Sequence, residues 1–307
     1  GERDFKTKGT GHACWSSAGL VGEAAKYAQT LFDHYGEPTL QLSPQDGLRM
    51  CQCDQCATLT PSDAVWGFLN RVAGETLKTH PDRFLVGAAY TSYREPPADI
   101  NQLSPNIIVR INNVGRPLFR NEEHWNWYQD LVGSWREKAA SDKIIRVENN
   151  YYDTVIHPRS IARDLKAMKG ISLGEMSEVA REKHSSGTGQ IWGRPGTNHL
   201  NLYVNARFLW DADQDIEKVL DEYYEGFYGP AAEEMRAAFD YAENHYSLEG
   251  RARLELPERV RLLELLHEAH RSIESGESVF GKRIQLIINE FDPLDDLRKK
   301  LEASSQR

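Results

Sequence analysis

The sequence predicts an α/β fold, with a parallel sheet built from βα units followed by an all-helical region. Three observations predict it. Up to about Gly196, short apolar runs alternate with amphipathic stretches. Those runs are near-continuously apolar, as strands of a covered parallel sheet are. From Asn198 onward only helical periodicity remains, and strand–helix alternation marks βα units.

Each element has its own signal. Ala18 to Tyr35 carries small and apolar residues at helical spacing. Leu40-Gln41-Leu42 follows the breaker Gly36-Glu37-Pro38 and reads as a short strand. Pro61-Ser62-Asp63 opens a helix carrying Val65, Phe68, Leu69, Val72 and Leu77. Phe84 to Tyr90 after His80-Pro81, Ile107 to Ile111 after Pro105-Asn106, and Ile144 to Val147 after Ser141-Asp142 read as buried strands. Glu122 to Lys138 is a helix with Trp125, Trp127, Leu131 and Trp135. The pair Trp125 and Trp127 cannot share one helix side. His157-Pro158 opens a helix ending near Gly170, and Gly170 to Gly174 is the fifth strand. Beyond it, helices are expected from Leu200 to Trp210, Ile216 to Phe227, Ala231 to Tyr246, Pro257 to Ile273 and Val279 to Glu290, then a frayed polar tail from Arg298 to Arg307. Trp210, Tyr223, Tyr224, Phe227 and Tyr228 are too many large apolar groups to leave exposed.

A (β/α)8 barrel needs eight strands in about 250 residues. The chain supplies five, with His12-Ala13-Cys14 a candidate sixth. Read as a barrel, it lacks the first two or three units; the other reading is an unusual open sheet. The expected organisation is a (β/α) barrel portion over 1–196 that carries the site, and a helical region over 197–307 packed on it. The boundary falls in Ser185-Ser186-Gly187-Thr188-Gly189 or shortly after. No GxGxxG or Walker motif follows a strand, which disfavours nucleotide binding.

Composition narrows the function classes. The chain has 307 residues, with 37 Lys+Arg against 46 Asp+Glu, a net charge of −9. That balance argues against duplex binding, which needs clustered cations. No apolar run approaches the roughly 20 residues of a bilayer span, so membrane insertion is not expected. The start, Gly-Glu-Arg-Asp-Phe-Lys, has no apolar core like that of a signal peptide, and without Met the true start is expected upstream.

In a βα architecture chemistry gathers at strand C-termini. The first strand is followed by Gln45 and Asp46, and the second by Tyr90, Tyr93, Arg94 and Glu95. Asn112 and Asn113 follow the third, Glu148, Asn149, Asn150, Tyr151, Tyr152 and Asp153 the fourth, and Glu175 and Glu178 the fifth. Carboxylates, amides and aromatic rings on one rim suit a sugar, with amides meeting hydroxyls and rings covering C–H faces. Glycoside hydrolysis needs an acid and a nucleophile, base or orienting partner. Asp46 and Glu175 are the leading carboxylates, with Gln45, Tyr90, Asn112, Asn149 and Tyr152 lining the site. Plainer readings stand beside these. Asp46 before Gly47 suits a turn, Tyr90 suits the core, Asn149 suits a loop, and Glu148 suits an ion pair with Arg146 or Arg110. His184, His199 and His245 have no metal-ligand spacing and read as structural.

Cys51-Gln52-Cys53-Asp54-Gln55-Cys56 puts three thiols within six residues, and Cys14 lies apart. Three close thiols and one distant suit a closed, structural tetrahedral zinc site. Disulfides or reduced thiols are the alternatives.

Gln45-Asp46-Gly47 with Cys51-x-Cys53-x-x-Cys56, Ala89-Tyr90 with Pro96-Pro97, Leu209-Trp210-Asp211 and Phe227-Tyr228-Gly229-Pro230-Ala231-Ala232 together resemble a bacterial domain-of-unknown-function family of glycoside-hydrolase type. That family is related to α-glucuronidase and hexosaminidase barrels, and some members are endo-β-N-acetylglucosaminidases acting on N-glycans. The resemblance covers roughly residues 10 to 245. It implies a TIM-type (β/α)8 catalytic barrel followed by helices, a carbohydrate or glycan substrate, and a periplasmic or secreted setting. Members usually carry Asn where this chain has Gln45, an amide placed to orient a substrate acetamido group. A non-catalytic carbohydrate-binding protein on the same fold is the alternative function.

Overall fold

The computed structural model describes residues 13–45, 47–148, 155–178, 181–182, 190–191, 195–249 and 252–292. Asp46, Asn149, Asn150, Tyr151, Tyr152, Asp153, His184, the expected boundary at 185–189 and the tail at 298–307 lie outside them. The chain forms two compact units interleaved along the sequence. The first comprises Gly1–Val114, Asn126–Glu148 and Gly170–Met176, the second Gly115–Trp125, Asn149–Lys169 and Ser177–Arg307.

The first unit is a sheet with helices. Helix α1 (Ala18–Tyr35) starts where the Ser17 hydroxyl accepts from the Leu20 N–H, and stops at Gly36 with φ +68°, a left-handed conformation that costs glycine little. Strand β1 (Thr39–Gln41) follows. Helix α2 (Pro61–Leu77) is capped by Thr60, whose hydroxyl accepts from the Asp63 N–H, with proline in its first turn. Then come β2 (Phe84–Ala89), β3 (Ile107–Asn112), helix α3 (Glu122–Lys138), β4 (Ile144–Glu148) and β5 (Ser172–Ser177).

The five strands lie side by side in the order β1-β2-β3-β4-β5. Neighbours are parallel, with Gln41 opposite Val86, Ala88 opposite Arg110, and Arg110 opposite Ile145. Alternation therefore puts Leu85, Gly87, Ala89, Ile107, Val109, Ile111, Arg146 and Glu148 on one face, and Gln41, Val86, Ala88, Ile108, Arg110, Asn112 and Val147 on the other. Helices α2 and α3 pack on the first face. A Cβ on Gly87 would sit 2.7 Å from the Trp66 ring of α2, so the helix lies flush on the strand. Trp66 and Trp135, of α2 and α3, meet with ring centroids 4.4 Å apart.

This sheet corrects the expectation of a (β/α)8 barrel. Among the described residues β1 and β5 are opposite edges of an open sheet and do not pair. Closure needs a full set of tilted, staggered strands. After β5 the described chain adds only the two-residue antiparallel strands β6 (Arg181–Glu182) and β7 (Gln190–Ile191), which pair with each other, before turning helical. The candidate sixth strand also fails. Ala13 and Cys14 are not in a strand, and the Cys14 carbonyl accepts from the Ser17 N–H in the turn into α1.

The second unit is helical. Helices α4 (Pro158–Ala167), α5 (Pro195–Trp210), α6 (Ile216–Tyr228), α7 (Ala232–His245), α8 (Leu256–Arg271) and α9 (Val279–Phe291) enclose a core that includes Leu200, Phe208, Tyr228, Phe239, Leu262 and Ile284. Tyr223, Tyr224 and Tyr228 are buried as expected and Phe227 is half-buried, but Trp210 is 92% exposed. It is the last residue of α5, where the chain leaves the helix and no later described element of that unit covers the ring.

Candidate functional site

The sheet face opposite α2 and α3 carries a polar group within an apolar surface. The Arg110 guanidinium donates to Asn112 Oδ1 at 3.1 Å and, from β3 across to β1, to Gln41 Oε1 at 2.6 Å. Tyr90 lies two residues beyond Ala88, as Asn112 lies two beyond Arg110, so Tyr90 and Asn112 share this face on adjacent strands. Tyr90 is half-buried and Asn112 buried.

A second group sits where β2, β3 and β4 end. Beyond β2 the chain makes a 3-10 turn at Thr91–Tyr93, with Thr91 at φ 46°. At the end of β3 Asn113 has φ 44°. A β-branched threonine at positive φ is strained, and such strain gathers at functional sites. Two indoles pin the turn. Trp66 Nε1 donates to the Tyr93 carbonyl at 3.1 Å and Trp135 Nε1 to the Arg94 carbonyl at 2.9 Å. The Arg94 side chain lies 5.7 Å above the Trp127 ring and donates through Nη2 to the Asn113 carbonyl at 3.2 Å. Glu148 ends β4 buried, its Oε1 accepting from Arg146 Nη2 at 2.6 Å, and the Arg146 guanidinium lies over the Tyr128 ring. Of the two cations open to Glu148 in the sequence, Arg146 is therefore one it pairs with.

Glu175 is half-buried inside β5 rather than after it, because the strand runs on through Gly174 to Ser177. Ser172 Oγ donates to the Ile144 carbonyl at 3.4 Å, which sets Glu175 near the level of Val147 on the neighbouring strand. Gln45 is exposed in the loop after β1. Tyr90, Asn112, Glu148 and Glu175 thus share the C-terminal side of one sheet, while Asp46, Asn149 and Tyr152 lie outside the described residues. Arg110 was missed as a site residue, although a lone arginine inside Ile107-Ile108-Val109-Arg110-Ile111 breaks the apolar run.

The four cysteines come together. Cys14 Sγ lies 3.7 Å from Cys53 Sγ and 3.8 Å from Cys56 Sγ, and all four sulfurs lie within 4.8 Å of one another. Cys56 is buried and Cys53 exposed, and all four are free thiols rather than disulfides. The set offers four ligand atoms for one metal ion. Its protons are unevenly held. The Cys56 backbone N–H and the Ser16 hydroxyl draw Cys53 down to about 6. The Ser16 hydroxyl also lowers Cys14. Cys51 is lowered by the Cys53 backbone N–H, but burial and the Cys53 and Cys14 sulfurs outweigh this and raise it to about 11. The lowering of Cys53 and Cys14 favours the thiolate, the form that binds metals.

The second unit holds a buried polar network that the sequence reading missed. Arg116 Nε donates to Asp164 Oδ2 at 2.7 Å and Nη1 to Asn205 Oδ1 at 3.0 Å, all three residues buried. Asn201 Oδ1 accepts from the His157 N–H at 3.0 Å. Asn198, Asn201 and Asn205 lie three and four residues apart on α5, a spacing that puts them on one helix face and is visible in the sequence.

Residues 4–240 match the family described as Domain of unknown function (DUF4838). No curated protein matches the chain. No solved structure matches it either.

Proposed function

The chain belongs to the DUF4838 family, and from that premise we propose that it is a glycoside hydrolase acting on a β-linked sugar, with 2-acetamido sugars the first candidates. The observation that carries this reading is the C-terminal side of the sheet, where Tyr90, Asn112, Glu148 and Glu175 lie on adjacent strands, Tyr90 and Asn112 on the face opposite Glu148. Hydroxyl-matching amides, an aromatic face and carboxylates are the groups a pyranose needs. In this reading Glu175 is the general acid that protonates the leaving oxygen, with Asp46 and Gln45 as its proposed partners at the sugar. In a substrate-assisted reaction the acetamido oxygen attacks the anomeric carbon and a carboxylate or amide orients it.

The test is a screen of 4-nitrophenyl β-glycosides that includes the N-acetyl-β-D-glucosaminide. Turnover is expected, and Glu175→Gln should lower kcat by about 10²–10⁴-fold, the usual contribution of acid–base catalysis. Saturable binding with no turnover at any pH would replace the hydrolase with a carbohydrate-binding protein.

We also propose that Cys14, Cys51, Cys53 and Cys56 hold one structural zinc ion. Zinc–sulfur bonds of about 2.3 Å in a tetrahedron put the sulfurs about 3.8 Å apart, and the two Cys14 separations are 3.7 and 3.8 Å. The ion would tie the start of α1 to the loop between β1 and α2, which carries Gln45. Metal analysis of the purified chain should find about one equivalent of zinc, falling to background in Cys56→Ser. Protein without zinc and without titratable thiols would point to disulfides.

A further inference from the structure

Arg94 differs from the other well-placed arginines of the chain. Arg116, Arg146, Arg159 and Arg163 each bond a carboxylate, at 2.7, 2.6, 2.8 and 2.8 Å. Arg94 bonds none among the described residues. A guanidinium has five N–H donors, and the one bond here is from Nη2 to the Asn113 carbonyl. Its Nε is buried with no hydrogen-bond partner. The nearby Glu148 carboxylate is engaged by Arg146. Burial pulls Arg94 below the ordinary guanidinium value, more than Glu95, Glu148 and Tyr90 restore it. Leaving a half-buried cation so poorly compensated costs free energy.

The position is nevertheless held firmly. Trp66 and Trp135 bond the carbonyls of Tyr93 and Arg94, Thr91 is strained in the same turn, and the guanidinium bonds the carbonyl of Asn113 just beyond β3. A cation built in on a rigid turn with donors to spare suits a ligand anion, and the guanidinium fork matches carboxylate and sulfate oxygens.

We propose that Arg94 is the centre of a subsite for a negatively charged substituent, a carboxylate or a sulfate ester, on the glycan. The inference rests on the carbohydrate reading above for the rest of its ligand. Trp127 below the guanidinium and Tyr90 at the head of the same turn supply ring faces for the sugar that carries the charge.

The experiment is equilibrium binding to the full chain of two matched pairs of probes. One is 4-nitrophenyl β-D-glucuronide against the β-D-glucoside. The other is 4-nitrophenyl 6-O-sulfo-N-acetyl-β-D-glucosaminide against its unsulfated form. One acidic probe should bind about tenfold or more tightly than its neutral partner, and which pair shows it separates carboxylate from sulfate. Arg94→Met should abolish that preference and Arg94→Lys, which keeps the charge and loses the fork, should reduce it, with thermal unfolding checked for both. If Arg94→Met does not fold, Arg94→Lys alone is read. Equal binding within both pairs, or a preference untouched by the variants, overturns the proposal. If no glycoside of either kind binds, the carbohydrate reading has failed, and inorganic sulfate and free D-glucuronate decide the anion subsite. Saturable binding weakened in the Arg94 variants supports it, and absence of binding overturns it.

Discussion

Arg146 and Glu148 are both buried and bonded at 2.6 Å at the end of a central strand. Their attraction offsets the loss of hydration only while both are present, so removing one leaves a buried charge without its 2.6 Å partner. Arg146→Met should therefore destabilise the chain by about 3–5 kcal/mol, and Arg146→Met with Glu148→Gln should recover most of that. Urea unfolding of the two variants checks this, and equal losses in both would contradict it. The same residues show what a sequence conveys. That Glu148 ends a strand is local information, and so are Cys51, Cys53 and Cys56, whose proximity is written in their spacing. That Arg146 and Glu148 share a face is local too, since residues two apart on a strand point the same way; that Arg110 lies on the other face depends on the register of β3 against β4, and no local pattern carries a register.

At the scale of elements, α2 and α3 do more than cover the sheet. Their indoles reach 27 and 41 residues along the chain to fix the carbonyls of Tyr93 and Arg94. Gly87 is the position that lets α2 come close enough, since a methyl there would overlap the Trp66 ring. Gly87→Ala should destabilise by about 1–3 kcal/mol, the cost of overpacking a dense core, and should disturb the turn that carries Arg94. Denaturant unfolding tests the first part, and the near-ultraviolet dichroism of the tryptophans tests the second. A variant as stable as the parent would show that α2 can move away without cost. The bounds of α1 and α3 were legible to the residue because caps and 3.6-residue spacing lie within each segment. β5 was not. Gly174 reads as a stop, but it adopts φ 150°, which glycine tolerates, and the strand passes through it, carrying Glu175 into the sheet.

At the scale of the whole molecule, acid should weaken the fold through His157. Burial, with the Arg116 cation nearby, pushes it from the ordinary 6.5 to about 3 although the Val155 carbonyl favours its protonated form. In the folded chain the ring stays neutral down to about pH 3, whereas in the unfolded chain it takes a proton below about 6.5. Its contribution is thus complete above pH 6.5 and is lost as pH falls from 6.5 towards 3, at up to about 1.4 kcal/mol per pH unit. Stability measured from pH 7 to pH 5 should fall, and His157→Gln should show a shallower slope. Parallel slopes would remove His157 as the cause.

By itself the sequence determined the kind and order of the elements: βα units first, helices after, strand ends bearing amides, rings and carboxylates, and four cysteines fit for one ion. These follow from caps, breakers and periodicity, which act between residues a few positions apart. Only the tertiary structure decided that the described strands form an open sheet, that Arg110 lies on the face away from Glu148, and that Arg94 is pinned with its Nε unpaired. Those outcomes depend on registers and packing between segments tens of residues apart. Their free energy comes from contacts made only after the chain has closed the intervening loops.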